Sequence, residues 1–209
     1  MILYTAPGSC GLASHIALEM SEATYEARTA PINGGKIAPS FYEINPKGRV
    51  PALVTSEGVL TETPAILFYI AQLHPQAQLA PFDDPWSLAQ LQSFCAYLCS
   101  TVHVAHAHGY RGYRWATEES SFRDMSQMVP TTMTACFELI ETEMLKGPWV
   151  LGSEFSLGDI YLLTMARWLE ADQADTVKLP RVMEHRQRML ELAAVGKVVE
   201  HEKALASSM

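Results

Sequence analysis

Apolar positions change period along the chain. Ile2-Leu3-Tyr4 is a short apolar run closed by a turn at Ala6-Pro7-Gly8-Ser9, after which Leu12, Ala13, Ile16, Ala17 and Met20 recur at helical spacing. This predicts strand, turn and helix. Residues 25–30 predict a second strand and Pro39 to Glu43 a helical turn. Val50 to Val54 predict a third strand, which returns through Ser56-Glu57-Gly58 into Val59-Leu60 as a hairpin. Thr63 before Pro64 has the pairing of an N-cap and a first helical position. Ile66, Leu67, Ile70, Ala71 and Leu73 then form an apolar helix face ending near Pro75. The order is βαβαββα.

Periodicity lapses from Gln76 to Pro85, where Pro81, Asp83, Asp84 and Pro85 mark a linker. Beyond it the pattern is helical near residues 86–109, 118–146, 157–172, 179–193 and 195–205. The expected organisation is an α/β domain over 1–76, a linker over 77–85 and an all-α domain over 86–209, with no internal repeat. Ser156 and Asp159 stand at the spacing of a capping box, a structural motif, so Asp159→Ala is expected to cost about 0.5–2 kcal/mol.

Composition narrows the partners. With 48% hydrophobic and 18% charged residues the chain is not a disordered one. Fifteen basic against 23 acidic side chains give a net charge of -8, which repels phosphate backbones and anionic lipid, so nucleic acid is not an expected partner. No run reaches the roughly 18 apolar residues of a membrane span, and no basic and apolar leader precedes Pro7-Gly8; a cytoplasmic protein is expected. Cysteines 10, 95, 99 and 136 form no C-x-x-C pair and read as reduced thiols.

Three segments of the first domain carry candidate chemistry. Cys10 stands where the turn passes into a helix, and unpaired N–H groups there favour a thiolate nucleophile; the alternative is a small buried hydrophobe. Pro51 enters a strand, where it removes a ladder donor unless the chain bends. A cis Val50-Pro51 bond would leave the main chain of Val50 open to an extended peptide; the alternative is a plain turn. Glu62-Thr63-Pro64 opens a helix, so Thr63 and nearby N–H groups can take a carboxylate while Glu62 takes an ammonium, as an amino-acid head group requires. Equally, Thr63 simply caps that helix.

Together these segments resemble the glutathione transferase family. The resemblance runs through Leu3-Tyr4-Thr5-Ala6-Pro7-Gly8-Ser9-Cys10, His15, Asn45-Pro46-Lys47-Gly48-Arg49-Val50-Pro51-Ala52-Leu53, Leu60-Thr61-Glu62-Thr63, Pro64-Ala65-Ile66 and Phe155-Ser156-Leu157-Gly158-Asp159-Ile160, in the family's order. The Pro-Gly-Ser-Cys turn is similar to the bacterial beta class, whereas Thr5 and Gly11 depart from that class, in which a tyrosine and a serine are expected. The resemblance implies a thioredoxin-like first domain, an all-α second domain and a homodimer. It implies glutathione as co-substrate, with Cys10 at its sulfur, Val50 and Pro51 at the cysteinyl backbone, Glu62 and Thr63 at the γ-glutamyl end and Lys36 at the glycyl carboxylate. His106 is implied as the histidine opposite Cys10.

In the helical half, Cys99, His103 and His106 follow at i, i+4 and i+7 and share a face, with His108 just beyond. Such a trio can bind zinc, but no fourth ligand stands at a suggestive spacing, so no metal is expected and the face reads as a cleft wall with His106 moving a proton. Tyr110-Arg111-Gly112-Tyr113-Arg114-Trp115 follows; with His103, Tyr110 and Tyr113 can hold a small apolar electrophile, although an aromatic cluster after a helix is more often ordinary packing. Cys95 and Cys99 lie one turn apart away from any helix end and read as packing residues.

The expected function is a Cys-type glutathione-dependent transferase acting on small electrophiles or mixed disulfides. If Cys10 meets glutathione sulfur, thiol–disulfide exchange follows; if Ser9 and helix N–H groups hold glutathione as a thiolate, it attacks an electrophile directly. The alternatives are a non-catalytic dimeric glutathione- or ligand-binding protein on the same scaffold, and a glutathione-dependent isomerase or dehalogenase.

Overall fold

A computed structural model describes residues 1–33 and 36–207. Its contacts divide the chain into two units, one formed by Met1–Ala80 with the segment from Leu190 onward, the other by Pro81–Met189.

In the first unit β1 (Ile2–Thr5) runs parallel to β2 (Glu26–Thr29) and antiparallel to β5 (Ala52–Thr55), which turns into β6 (Gly58–Thr61), giving the sheet order β2-β1-β5-β6. Parallel pairing of β1 with β2 requires a crossover, and the helix between them, α1 (Gly11–Met20), supplies it. The helix after β6 is α2 (Thr63–Leu73). Leu3, Leu12, Ala13, Ile16, Leu53, Ile66, Leu67 and Ile70 are buried between sheet and helices. The βαβαββα order holds, with two local differences. The second helical element is a 3₁₀ turn, Pro39–Glu43, and a small hairpin of β3 (Ile32–Asn33) and β4 (Lys36–Ile37) precedes it. Strands of two residues carry no readable period.

The second unit begins with α3 (Pro85–Tyr97), whose N-cap Asp84 accepts from the N–H groups of Trp86 and Ser87 at 3.0 and 3.3 Å. A π turn over Leu98–Val102 links α3 to α4 (His103–Arg111), so the single helix predicted over 86–109 is interrupted. The extra residue of a π turn rotates what precedes it. Cys99 lies inside that turn, with its Sγ 3.3 Å from the Ala96 carbonyl. Next come α5 (Glu119–Leu139), α6 (Leu157–Ala166), which is buried along its whole length, and α7 (Pro180–Leu190).

One boundary differs from the sequence reading. The segment expected to close an all-α domain at 209 carries α8 (Ala193–Ser207), and α8 packs against α1 of the first unit. Residues Gly11 to Leu18 of α1 are all buried for this reason, polar Ser14 and His15 included. A helix covered on one flank only would leave a polar stripe in water.

Candidate active site

The β1–α1 turn is held by its own backbone. Ser9 N–H donates to the Ala6 carbonyl at 3.0 Å, and Gly8 takes φ +77°, which a residue without Cβ adopts freely. Ser9 Oγ accepts the Gly11 N–H at 3.1 Å and its carbonyl accepts the Leu12 N–H at 3.3 Å. The helix-terminal donors of Gly11 and Leu12 are taken by Ser9, while Cys10 occupies the N-cap with helical dihedrals and only 7% exposure. Its Sγ donates to the Val50 carbonyl at 3.6 Å, a bond that the thiol makes and a thiolate does not.

Val50 reaches the sulfur because the loop before it is built tightly. Buried Asn45 donates from Nδ2 to the Arg49 carbonyl at 2.6 Å and accepts the Lys47 N–H at 3.1 Å, and Gly48 closes the turn at φ +58°. The Val50-Pro51 bond is cis, as the position of Pro51 suggested. Val50 lies outside β5, which starts at Ala52, and its N–H makes no hydrogen bond among the described residues. Sulfur and an unused main-chain edge therefore lie side by side.

At the next corner α2 starts at Thr63, one residue earlier than the Thr-Pro pairing predicted, so Glu62 holds the cap position and Pro64 the second helical one. Glu62 adopts φ +74°, a conformation a residue with Cβ rarely takes, and such outliers gather at ligand sites. Lys47, which the sequence reading did not single out, donates from Nζ to Glu62 Oε1 and, at 2.7 Å, to Thr61 Oγ1. Its place within Asn-Pro-Lys-Gly-Arg was the available signal. The Lys36 side chain lies outside the described residues.

In the helical unit His106 is well defined. Its Nδ1 lies 2.7 and 3.0 Å from the two carboxylate oxygens of buried Asp172, and its ring stacks on Trp168 at 3.9 Å and 12°. His103 also meets Trp168, with ring centroids 5.1 Å apart, and Tyr110 lies 6.2 Å from His106. Tyr113 joins no such ring contact among the described residues and is 65% exposed. Burial pushes the Cys95 thiol well up, reinforced by its acidic and thiol neighbours, and burial also raises Cys136; both sulfurs are held protonated, in line with packing roles.

Comparison with known proteins adds lineage to this geometry. Family models described as the glutathione S-transferase N-terminal and C-terminal domains match residues 1–72 and 128–188. A crystal structure of a glutathione transferase homologue from Sulfitobacter, solved with bound glutathione, is 43% identical. It superposes with a TM-score of 0.92, covering 96% of this chain and 97% of its own. The chain belongs to the glutathione S-transferase family. A bacterial beta class glutathione S-transferase from Sphingomonas chungbukensis is 32% identical at a TM-score of 0.84, covering 97% of this chain and 98% of its own. A glutathione S-transferase of Xanthomonas campestris pv. campestris is 27% identical over 202 residues, or 97% of this chain and 98% of the relative. The four-stranded sheet with its helices is the thioredoxin-like part of the transferase fold, and the helical unit is its C-terminal part.

In this transferase Thr5 and Gly11 pack against each other. A Cβ added at Gly11 would stand 2.3 Å from Thr5 Oγ1, closer than real Cβ contacts come. The Thr5 hydroxyl occupies the space that a side chain at 11 would fill. That hydroxyl points to Glu202 of α8, whose two carboxylate oxygens lie 3.5 Å from Thr5 Oγ1 and 3.4 Å from Gly8 N, with His15 Nδ1 3.7 Å away. Glu202 stands 194 residues beyond Gly8, too far along the chain for any local pattern to reveal the contact.

Proposed function

We propose that this chain is a Cys-type glutathione-dependent transferase in which Cys10 exchanges with glutathione sulfur. One observation carries the reading: Cys10 Sγ lies against the Val50 carbonyl, beside the main-chain edge where the cysteinyl part of an extended peptide pairs. On this edge Val50 and Pro51 hold the tripeptide backbone. Glu62, with Thr63 at the start of α2, receives the γ-glutamyl ammonium and carboxylate, displacing the Lys47 ammonium from Glu62. The Lys36 ammonium is assigned to the glycyl carboxylate. Glutathione bound in the Sulfitobacter homologue supports the same co-substrate here.

The chemistry is thiol–disulfide exchange. Cys10 gives up its proton, attacks one sulfur of a glutathione disulfide and forms the Cys10–glutathione bond, while the departing sulfur leaves as a thiolate and takes up a proton. Ser9, with Oγ already accepting from Gly11, keeps its own O–H to donate to a sulfur anion nearby. His106, anchored on Asp172, is the proton-transfer group of the helical unit. A small apolar electrophile and a homodimer complete the reading on family resemblance.

The test is mass spectrometry of the protein after incubation with oxidised glutathione, alongside Cys10→Ala. One glutathionyl adduct on Cys10, absent from the variant, is expected. Adducts confined to Cys95, Cys99 or Cys136 would overturn the assignment, and glutathione retention without turnover would favour a binding protein.

A further inference from the structure

Among the described residues of the helical unit two histidine–aspartate pairs occur, and they are not equivalent. His185 Nε2 lies 2.9 Å from Asp159, both side chains are 0% exposed, and Asp159 also accepts from Val150 N–H and Ser156 N–H at 2.7 and 2.8 Å. That carboxylate is a structural hub serving several donors. Asp172 differs. Its side chain is 1% exposed, yet both oxygens are given to one nitrogen, His106 Nδ1, and its side chain has no other hydrogen-bond partner among the described residues. A simple tether does not need a buried carboxylate, which is costly to desolvate; a neutral amide would do.

The rest of the setting points outward from the ring. Trp168 clamps the imidazole face, and Asp172 N–H donates to the Trp168 carbonyl at 2.8 Å, so one short segment after α6 supplies both clamp and anchor. His106 is 13% exposed, and its Nε2 makes no protein hydrogen bond among the described residues. With Nδ1–H committed to the carboxylate, the neutral ring carries its lone pair on Nε2.

We propose that Asp172 is a positioning residue that fixes His106 as the Nδ1–H tautomer and presents Nε2 for proton transfer in the reaction proposed above, on which this inference rests. The thiol that enters the exchange passes its proton to Nε2, leaving the sulfur with the electron pair. The imidazolium keeps its other N–H on Asp172. The thiolate attacks the disulfide, a new S–S bond forms as the old one breaks, and the departing thiolate takes the proton back from Nε2, restoring the neutral ring. The carboxylate stays ionised throughout and stabilises the charge that forms beside it.

Asp172→Asn keeps an acceptor for Nδ1–H and removes the charge. Relative to wild type we expect an unchanged melting temperature, glutathione affinity within about twofold by calorimetry, and kcat lower by about 100-fold, the scale of a general acid–base contribution. In a His106→Ala background Asp172→Asn should have no further effect on kcat. A second readout needs no substrate: ring ¹⁵N shifts of His106 should report the Nδ1–H tautomer in wild type and its loss in Asp172→Ala. Wild-type kcat in folded Asp172→Asn, a further loss in the double variant, or an unaltered tautomer in Asp172→Ala each overturns the role of Asp172. Failure of wild type to turn over any glutathione-dependent substrate, with the tautomer signature intact, overturns the proposed function instead.

Discussion

Introducing a methyl group at position 11 is the sharpest probe of the Cys10 turn. In Gly11→Ala the new Cβ would lie 2.3 Å from Thr5 Oγ1 and 3.1 Å from both Thr5 Cβ and Ser9 Oγ. Thr5 is fully buried and fixed in β1, so the clash cannot be relieved by swinging a side chain into solvent. Overpacking of this kind costs about 1–3 kcal/mol, and the depth of the overlap argues for the upper end. Thr5→Ala alone removes two side-chain atoms and a 3.5 Å contact to Glu202, a loss of about 1 kcal/mol. In the double variant the worst overlap is gone and the 3.1 Å approaches to the Cβ of residue 5 and to Ser9 Oγ remain, so adding Gly11→Ala to Thr5→Ala should cost about 1 kcal/mol or less. The cycle therefore predicts a favourable coupling of about 2 kcal/mol, read from urea midpoints at constant m. Thr5→Val keeps a methyl where the hydroxyl was and should not rescue. Additivity of the two substitutions within about 0.5 kcal/mol would refute the pairing of residues 5 and 11.

Asp159→Ala should cost about 3–5 kcal/mol in urea unfolding, above the value expected for a cap alone, because it orphans donors from Val150, Ser156 and His185 at once in a sealed site; a loss below about 1 kcal/mol would contradict that role. Alkali should also weaken the fold. Burial raises the ionisation of Cys95, Tyr25 and Tyr97 above ordinary values of 9.0, 10.0 and 10.0, so the native state keeps protons that the unfolded chain releases. That stability is fully present below the unfolded values and drains as pH climbs past them. The urea midpoint should fall between about pH 8 and about pH 10.5, with Tyr97→Phe shrinking the fall; a flat profile counts against burial as the cause.

What the sequence disclosed follows from how local each signal is. The β1–α1 turn, the bend before Pro51 and the Ser156–Asp159 box are each written within a few residues, by glycine, proline and cap chemistry, and the structure has all three. The start of α2 slipped by one residue because proline suits either of the first two helical positions. The left-handed turn at Glu62 carries no glycine to announce it. The π turn at Leu98–Val102 was hidden because α and π spacing differ by one residue per turn. Asp172 and Glu202 were out of reach for another reason: their partners lie 66 residues or more away, and a buried acid looks in sequence like a solvated one.

The packing of α8 on α1 reverses the usual order in which a nascent protein is finished. Residues 81–189 form a contiguous unit, all of it present once position 189 clears the ribosome. Met1–Ala80 leaves the exit tunnel earlier but must wait for Glu202 to reach the Gly8 turn, so one flank of α1 stays in water for most of translation. The domain that is made first is completed last.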